Sequence, residues 1–335
     1  MLQFTKEQWE SVKAARHHFN QRAVAMAANS AGWLQGNSLA IPVDAWRRID
    51  QRAQMLARSR LAVFNRLAQA STLPVSIADV VNFYPQISDS NEVLVSMDGR
   101  TAAKGDAASV NYVGTPVPVL TTTARMGWRQ MEVLRKGGGM LDVATIANGQ
   151  RKMAEKMEDM VINGLASVNV NGATIYGLRN LPTRNTFVHG LTLNGATGAQ
   201  WLAAFKSMIN AALGDNNFGQ ITVFLNYGDY TYADTTDYVN GSNVTQGTIL
   251  QRLRAINQIA EIIPASSVPA SELLGIADLA SGEWGAILSA MPLTTRPKTR
   301  HEPEDDYVFG AIAAVAPQFR SDYNGQSAFV HGTTA

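Results

Sequence analysis

Apolar residues recur at helical spacing near the start of the chain, where Phe4, Trp9, Val12, Phe19, Ala23 and Met26 share one face across residues 5–35. Thr5 followed by Gln8 has the spacing of a capping box that opens such a helix. The stretch Gly32 to Pro42 interrupts it. A second helix is predicted from Asp44, a good N-cap, to about Ala70, with Trp46, Ile49, Met55, Leu56, Val63 and Leu67 on its buried side. Arg47, Arg48, Arg52, Arg58, Arg60 and Arg66 cover the remainder. From Val93 the pattern changes. The run VLVSM, the Asp98-Gly99 turn and the Thr/Val/Gly/Ala-rich stretch to Trp128 have no helical period. They predict a long two-stranded ribbon turning near Asp98-Gly99 or Lys104-Gly105-Asp106. Its middle carries few bulky residues, and an isolated ribbon is marginal in water, so it needs another surface to lie on.

Gly137-Gly138-Gly139 ends the ribbon, and Asp142 caps the clearest helix in the chain. Val143, Ile146, Met153, Met157, Met160, Val161 and Leu165 fall on one stripe, with Arg151, Lys152, Glu155, Lys156 and Asp159 largely off it. At 1.5 Å per residue this helix is a spine about 35 Å long. After Pro182 short elements alternate: helix 198–213, strand Ile221–Leu225, a Tyr/Asp-rich segment, helix 246–257, and strands at Glu272–Ala277, Trp284–Leu288 and Tyr307–Val315. The mixture is α+β.

Composition narrows the functions open to such a chain. Hydrophobic residues make up 46% and charged residues 16% of 335, so a sizeable core is available beneath a surface poor in charge. Zero cysteines exclude disulfides, thiolate metal sites and cysteine nucleophiles. No run approaches the roughly 18 apolar residues of a membrane span, and the N-terminus lacks the apolar core of a secretory signal, which points to a soluble cytoplasmic product with no membrane partner. Residues 1–70 hold ten Lys/Arg against four Asp/Glu, and the rest 18 against 23, so the leading arm is basic and suited either to nucleic acid or to a solvated helix face. His17 and His18 are adjacent, a poor chelating geometry on a helix, and His189, His301 and His331 belong to no metal motif. Gly137 to Gly139 precede a helix, yet Asp142 would repel an anion there, which favours a hinge. Glu158-Asp159 and the run Glu302 to Asp306 give no sign of two carboxylates converging on a cleft. No catalytic residue, metal ligand or cofactor-binding residue is singled out.

One set of residues carries a resemblance. Pro116-Val117-Pro118-Val119 is followed by Arg135, Gly137, Leu141-Asp142, Ala147, Ala154, Glu158-Asp159 and Gly164, and then by Ile175-Tyr176-Gly177-Leu178-Arg179-Asn180-Leu181-Pro182. In order and spacing this set resembles the encapsulin-like branch of the tailed-phage major capsid proteins, the Hong Kong 97 fold. The resemblance covers about residues 110–335 and matches the first 90 only in their being a helical arm.

That resemblance implies an α+β fold with an N-terminal helical arm at 1–75, P-domain entry at 76–92 and an extended E-loop at 93–136. It further implies a P-domain at 137–195 with its spine helix at 142–165, an A-domain at 196–300 and a return strand of the P-domain at 301–335. The family positions are Pro116, Arg135, Gly137, Asp142, Glu158, Asp159, Gly164, Gly177, Asn180 and Pro182, and Lys104 is the E-loop lysine that a covalently linked shell would use. The function implied is a major capsid protein, not an enzyme. It would assemble in the host cytoplasm as hexamers and pentamers into an icosahedral virion shell around double-stranded DNA. A separate scaffold protein, a portal and cement or decoration proteins would be its partners. Two alternatives stand beside it: an encapsulin nanocompartment around an enzyme cargo, and an enzyme, the latter disfavoured by the missing constellations.

Overall fold

The structure is a computed structural model describing residues 62–89, 107–136, 143–239 and 244–334, with 10, 95 and 97 as isolated positions. The first predicted helix, most of the second, and the two turn candidates of the ribbon lie outside the described residues. The described chain opens with α1 (Ala62–Ala70), β1 (Thr72–Pro74), β2 (Val81–Ile87), β3 (Val110–Pro116) and β4 (Val119–Met126). Next come α2 (Trp128–Lys136), α3 (Val143–Asn163), β5 (Leu165–Val170), β6 (Ala173–Ile175), β7 (Asn185–Val188) and α4 (Gly198–Gly214). They are followed by β8 (Ile221–Leu225), α5 (Tyr227–Thr235), β9 (Asp237–Val239), β10 (Thr245–Thr248), α6 (Ile249–Arg254) and β11 (Ile259–Pro264). The remaining strands are β12 (Leu273–Ala277), β13 (Gly285–Pro297), β14 (Tyr307–Phe319) and β15 (Phe329–Thr333).

The chain divides into two compact units, one of Met1–Ala57, Thr121–Lys152 and Leu293–Ile312, the other of Arg58–Leu120, Met153–Pro292 and Ala313–Ala335. In the second, a five-stranded mixed sheet of order β11-β8-β12-β15-β7 carries the main core. β8 and β12 are buried along their whole length, as strands covered on both faces must be. Trp201, Phe205 and Met208 of α4 and Ile249, Leu250 and Leu253 of α6 pack on them. The last strand, β15, runs parallel to β7 and antiparallel to β12 within this sheet. A four-stranded sheet has the order β1-β13-β14-β4. Residues 301–335 therefore serve two sheets: β14 belongs to the four-stranded one and β15 to the five-stranded one.

Several elements differ from their sequence-based limits, each for a local reason. The helix expected at 246–257 is only Ile249–Arg254, because Thr248 is its N-cap and closes a capping box with Gln251, leaving 245–248 to pair as β10. The Tyr/Asp-rich segment is a helix, started by Asn226, whose side chain accepts from Gly228 N–H. Residues 128–136, read as part of the E-loop excursion, are helical. The ribbon also begins earlier than Val93: its first strand is β2, from Val81, paired antiparallel with β3 from Val81↔Pro116 to Ile87↔Val110.

In the first unit, Gln150, buried in α3, donates to Thr295 Oγ1 at 2.6 Å. The turn between β13 and β14 is tied by Asp305 Oδ2, which accepts from the His301 and Glu302 amides, both at 2.9 Å. Those two amides hold the Asp305 carboxyl below its usual range. The run Glu302 to Asp306 thus forms a self-bonded turn.

Candidate functional site

The β2–β3 ribbon is patterned inside out. Side chains alternate across its two faces, so Asn82, Tyr84, Gln86, Asn111, Val113 and Thr115 share one face and Phe83, Pro85, Ile87, Val110 and Tyr112 the other. The polar face is fastened to the chain's own end. Asn82 Nδ2 donates to Gln318 Oε1, Gln318 Nε2 donates to the Asn82 carbonyl, Gln86 Nε2 donates to Ser321 Oγ at 3.0 Å, and Arg320 lies over the Tyr84 ring. The apolar face is bare. Phe83 is 59% exposed, Ile87 62% and Tyr112 65%. A half-covered antiparallel ribbon ordinarily turns its polar side to water. Here five exposed apolar side chains from two paired strands share one face, the kind of contiguous cluster that marks an interaction surface.

Glu158, Gly164, Gly177 and Asn180 build two joints around α3. At its C-terminus the last four carbonyls lack partners within the helix. Gly164 N–H bonds to Met160 O, Leu178 N–H to Val161 O, Arg179 N–H to Ile162 O, and Asn180 Nδ2 to Asn163 O, all at 2.8–3.0 Å. All four are satisfied, three of them by the Gly177–Asn180 segment. Gly164 takes φ +72°, the left-handed conformation that ends a helix. Gly177 passes so close that a Cβ there would overlap Gly164 N and Ile162 O. Asn180 Oδ1 closes the joint by accepting from Gly177 N–H at 2.6 Å.

The second joint is Glu158. It is 2% exposed, and its two oxygens accept from the first amides of α1, Val63 and Phe64, each at 2.9 Å, with Ser267 Oγ donating at 3.1 Å. A carboxylate against a helix N-terminus is favourably placed, but burial pushes the Glu158 carboxyl up despite the two amides and Ser267. Its neighbour Asp159 is half-buried. Burial raises it, but hydrogen bonds from Lys156 and Asn163 together with the Lys156 charge outweigh that and bring it below its usual range.

The sequence matches, over residues 35–332, a family of unknown function, DUF6260. The chain belongs to that family. No curated protein matches it. Among solved structures it is similar to a virus-like particle from Pyrococcus furiosus, with a TM-score of 0.59 at 13% identity over 87% of this chain and 98% of that one. It is likewise similar to the capsid of Myoviridae phage XM1 (TM-score 0.61, 13% identity, 82% and 91% covered). A chain from Mycobacterium phage Cain gives 0.58 at 9% identity, with 80% and 88% covered. The fold of this DUF6260 member is therefore α+β and of the Hong Kong 97 capsid type.

Within that fold, Pro116 ends β3 paired with Val81, and Pro182 borders a cleft of about 240 Å³ also lined by Tyr84, Tyr176, Pro317 and Phe319. No Asp, Glu, His, Lys or Arg lines this cleft, so it offers no general acid or base of ordinary pKa. Lys104, Gly137 and Asp142 lie outside the described residues; Arg135 is within α2, its side chain outside them. Among the described residues no group of metal-ligating side chains comes together. The three residue types of a hydrolytic triad do meet, but they are wired as a staple. Asp229 holds the Ser271 amide at 2.6 Å, Ser271 Oγ accepts from Leu193 N–H at 3.0 Å, and His189 Nδ1 accepts from Leu191 N–H at 3.2 Å. Burial pushes Asp229 up and His189 down, the reverse of a strong ion pair.

Sequence reasoning missed one cluster. Arg179 forks onto Glu272, Nε to Oε2 at 2.6 Å and Nη2 to Oε1 at 2.7 Å, and His331 Nε2 lies 3.1 Å from the same Oε2. Burial raises Glu272, but Arg179 and then His331 outweigh it and hold the carboxyl below its usual range. The only sequence signal was an Arg inside the Gly177–Asn180 motif.

Proposed function

We propose that this chain is the major capsid protein of a tailed bacteriophage, assembling as hexamers and pentamers into an icosahedral shell around double-stranded DNA. The observation that carries the reading is the bare apolar face of the β2–β3 ribbon on a Hong Kong 97-type fold. A lone subunit would leave that face in water; a second copy laid against it removes it, and symmetry repeats the gain at every contact. We take the ribbon and the segment joining its strands as the E-loop, α3 as the spine, and the sheet around β8 and β12 with α4 and α6 as the A-domain. Scaffold, portal and cement proteins are the partners expected of such a shell, and the basic leading arm supplies phosphate contacts inside it.

The similarity to the Pyrococcus furiosus particle, which spans 98% of that chain, supports a second reading, a nanocompartment shell around protein cargo. Contents separate the two. Particles purified from the native source, treated with nuclease and then opened, release double-stranded DNA of uniform length on the first reading. Particles that release a defined enzyme and no protected DNA refute the first and support the second.

A further inference from the structure

Side chains from three segments meet in one half-buried cluster. Arg179 and Arg184 follow β6, Glu272 immediately precedes β12, and His331 is the central residue of β15. Arg184 Nε lies 3.3 Å from His331 Nδ1, and its Nη1 donates to Leu181 O at 2.8 Å. A guanidinium Nε has only a hydrogen to offer, so Nδ1 of His331 must be the lone-pair nitrogen. Nε2 then carries the proton and donates it to Glu272 Oε2. Contacts on both ring nitrogens therefore select the neutral imidazole, and His331 is only 5% exposed.

We propose that this cluster is an acid-operated latch, in which a proton taken up from solvent at Nδ1 of His331 expels Arg184 and frees residues 181–185 from β15. The protonated ring sets N–H against N–H toward Arg184 and adds a third positive charge beside two guanidiniums, while Glu272, already bonded to Arg179, is the one carboxylate facing it. Glu272, Arg179 and Arg184 are the charged groups facing the ring; the strands flanking β15 place Thr186 and Leu274 opposite His331 and bring none. Burial already holds the imidazole below its ordinary range, with Glu272 opposing and the two arginines reinforcing that shift. The opening is local, because Asp215 separately holds Asn185 Nδ2 at 2.8 Å and the Ser327 amide at 3.0 Å. A histidine with a depressed folded pKa stabilises fully above its unfolded value, near 6.5, and loses that contribution as pH falls toward the folded value. The latch belongs to a single chain and does not rest on shell assembly.

Hydrogen exchange of the purified full chain between pH 7.5 and 5.0, corrected for intrinsic rates and read in peptides spanning 178–189 and 328–334, tests it. Wild-type protection there falls at least tenfold across the window. His331→Gln keeps a donor and an acceptor but takes no proton, and its protection changes less than twofold. Arg184→Gln removes both the group that is expelled and a charge that opposes protonation, so the folded pKa moves toward the unfolded one and the fall shrinks. Flat wild-type protection, a His331→Gln protein that loses protection as the wild type does, or an Arg184→Gln fall as large as that of the wild type overturns the latch. Should His331→Gln not fold, the size of the Arg184→Gln fall decides alone.

Discussion

Replacing Glu158 by alanine removes one carboxylate and strands three donors. The buried Val63 and Phe64 amides and the half-buried Ser267 hydroxyl all lose their acceptor. Each unsatisfied buried donor costs about 1–3 kcal/mol. Loss of the negative charge at the start of α1 adds about 1 kcal/mol, and relief from burying that charge offsets part of the total. The net is about 3–5 kcal/mol, on the scale of breaking a buried ionic contact. Glu158→Gln keeps one acceptor but turns an NH2 toward the second amide, for about 2 kcal/mol. Native-state hydrogen exchange in a peptide covering 62–70 reads the loss directly, because about 3 kcal/mol accelerates exchange through opening by more than a hundredfold. Asp159→Asn is the control: its partners Lys156 and Asn163 lie on the same exposed helix face, and the change stays within about 0.5 kcal/mol. If Glu158→Ala exchanges within threefold of wild type in that peptide, the carboxylate does not hold α1.

Gly177→Ala drives a methyl into the backbone at the end of α3, so the melting temperature falls by several degrees, an overpacking cost of about 1–3 kcal/mol or more; an unchanged melting curve contradicts the close approach. Ile87→Lys with Tyr112→Asp on the bare ribbon face leaves circular dichroism and the melting curve near wild type but abolishes assembly in sedimentation velocity; assembly at wild-type levels contradicts its role as an interface. Glu272 has a depressed folded pKa, so its contribution is present above the unfolded value near 4.5 and lost as pH falls through the folded one. Arg179→Gln raises the folded value toward the unfolded one and shrinks that loss, and urea titrations between pH 3 and 6 show the weaker pH dependence or refute it.

Local patterns were legible and distant partners were not. The Met153, Met157 and Met160 stripe, the break at Gly164 and the strand Ile221–Leu225 follow from spacing and burial alone. The tyrosine-rich helix α5 escaped because Tyr, Asp and Thr are weak helix formers; only Asn226, an N-cap residue, announced it. The ribbon's first strand escaped for a different reason. Its alternation is regular, but the apolar half faces outward, so the rule that apolar means inside gives no useful direction until a second copy is considered. Glu158 could be read as one of two adjacent acids on a helix, yet the α1 amides it holds lie more than 90 residues away. Arg184 and His331 are 147 residues apart, and neither belongs to a motif that would pair them.

Electron microscopy of the purified full-length chain tests the central claim most directly. Closed shells of uniform size, built from rings of five and six copies with the ribbon of one copy lying on the next, are expected. A protein that stays a single folded copy at every concentration tested, with the Phe83, Ile87 and Tyr112 face bare, would contradict it.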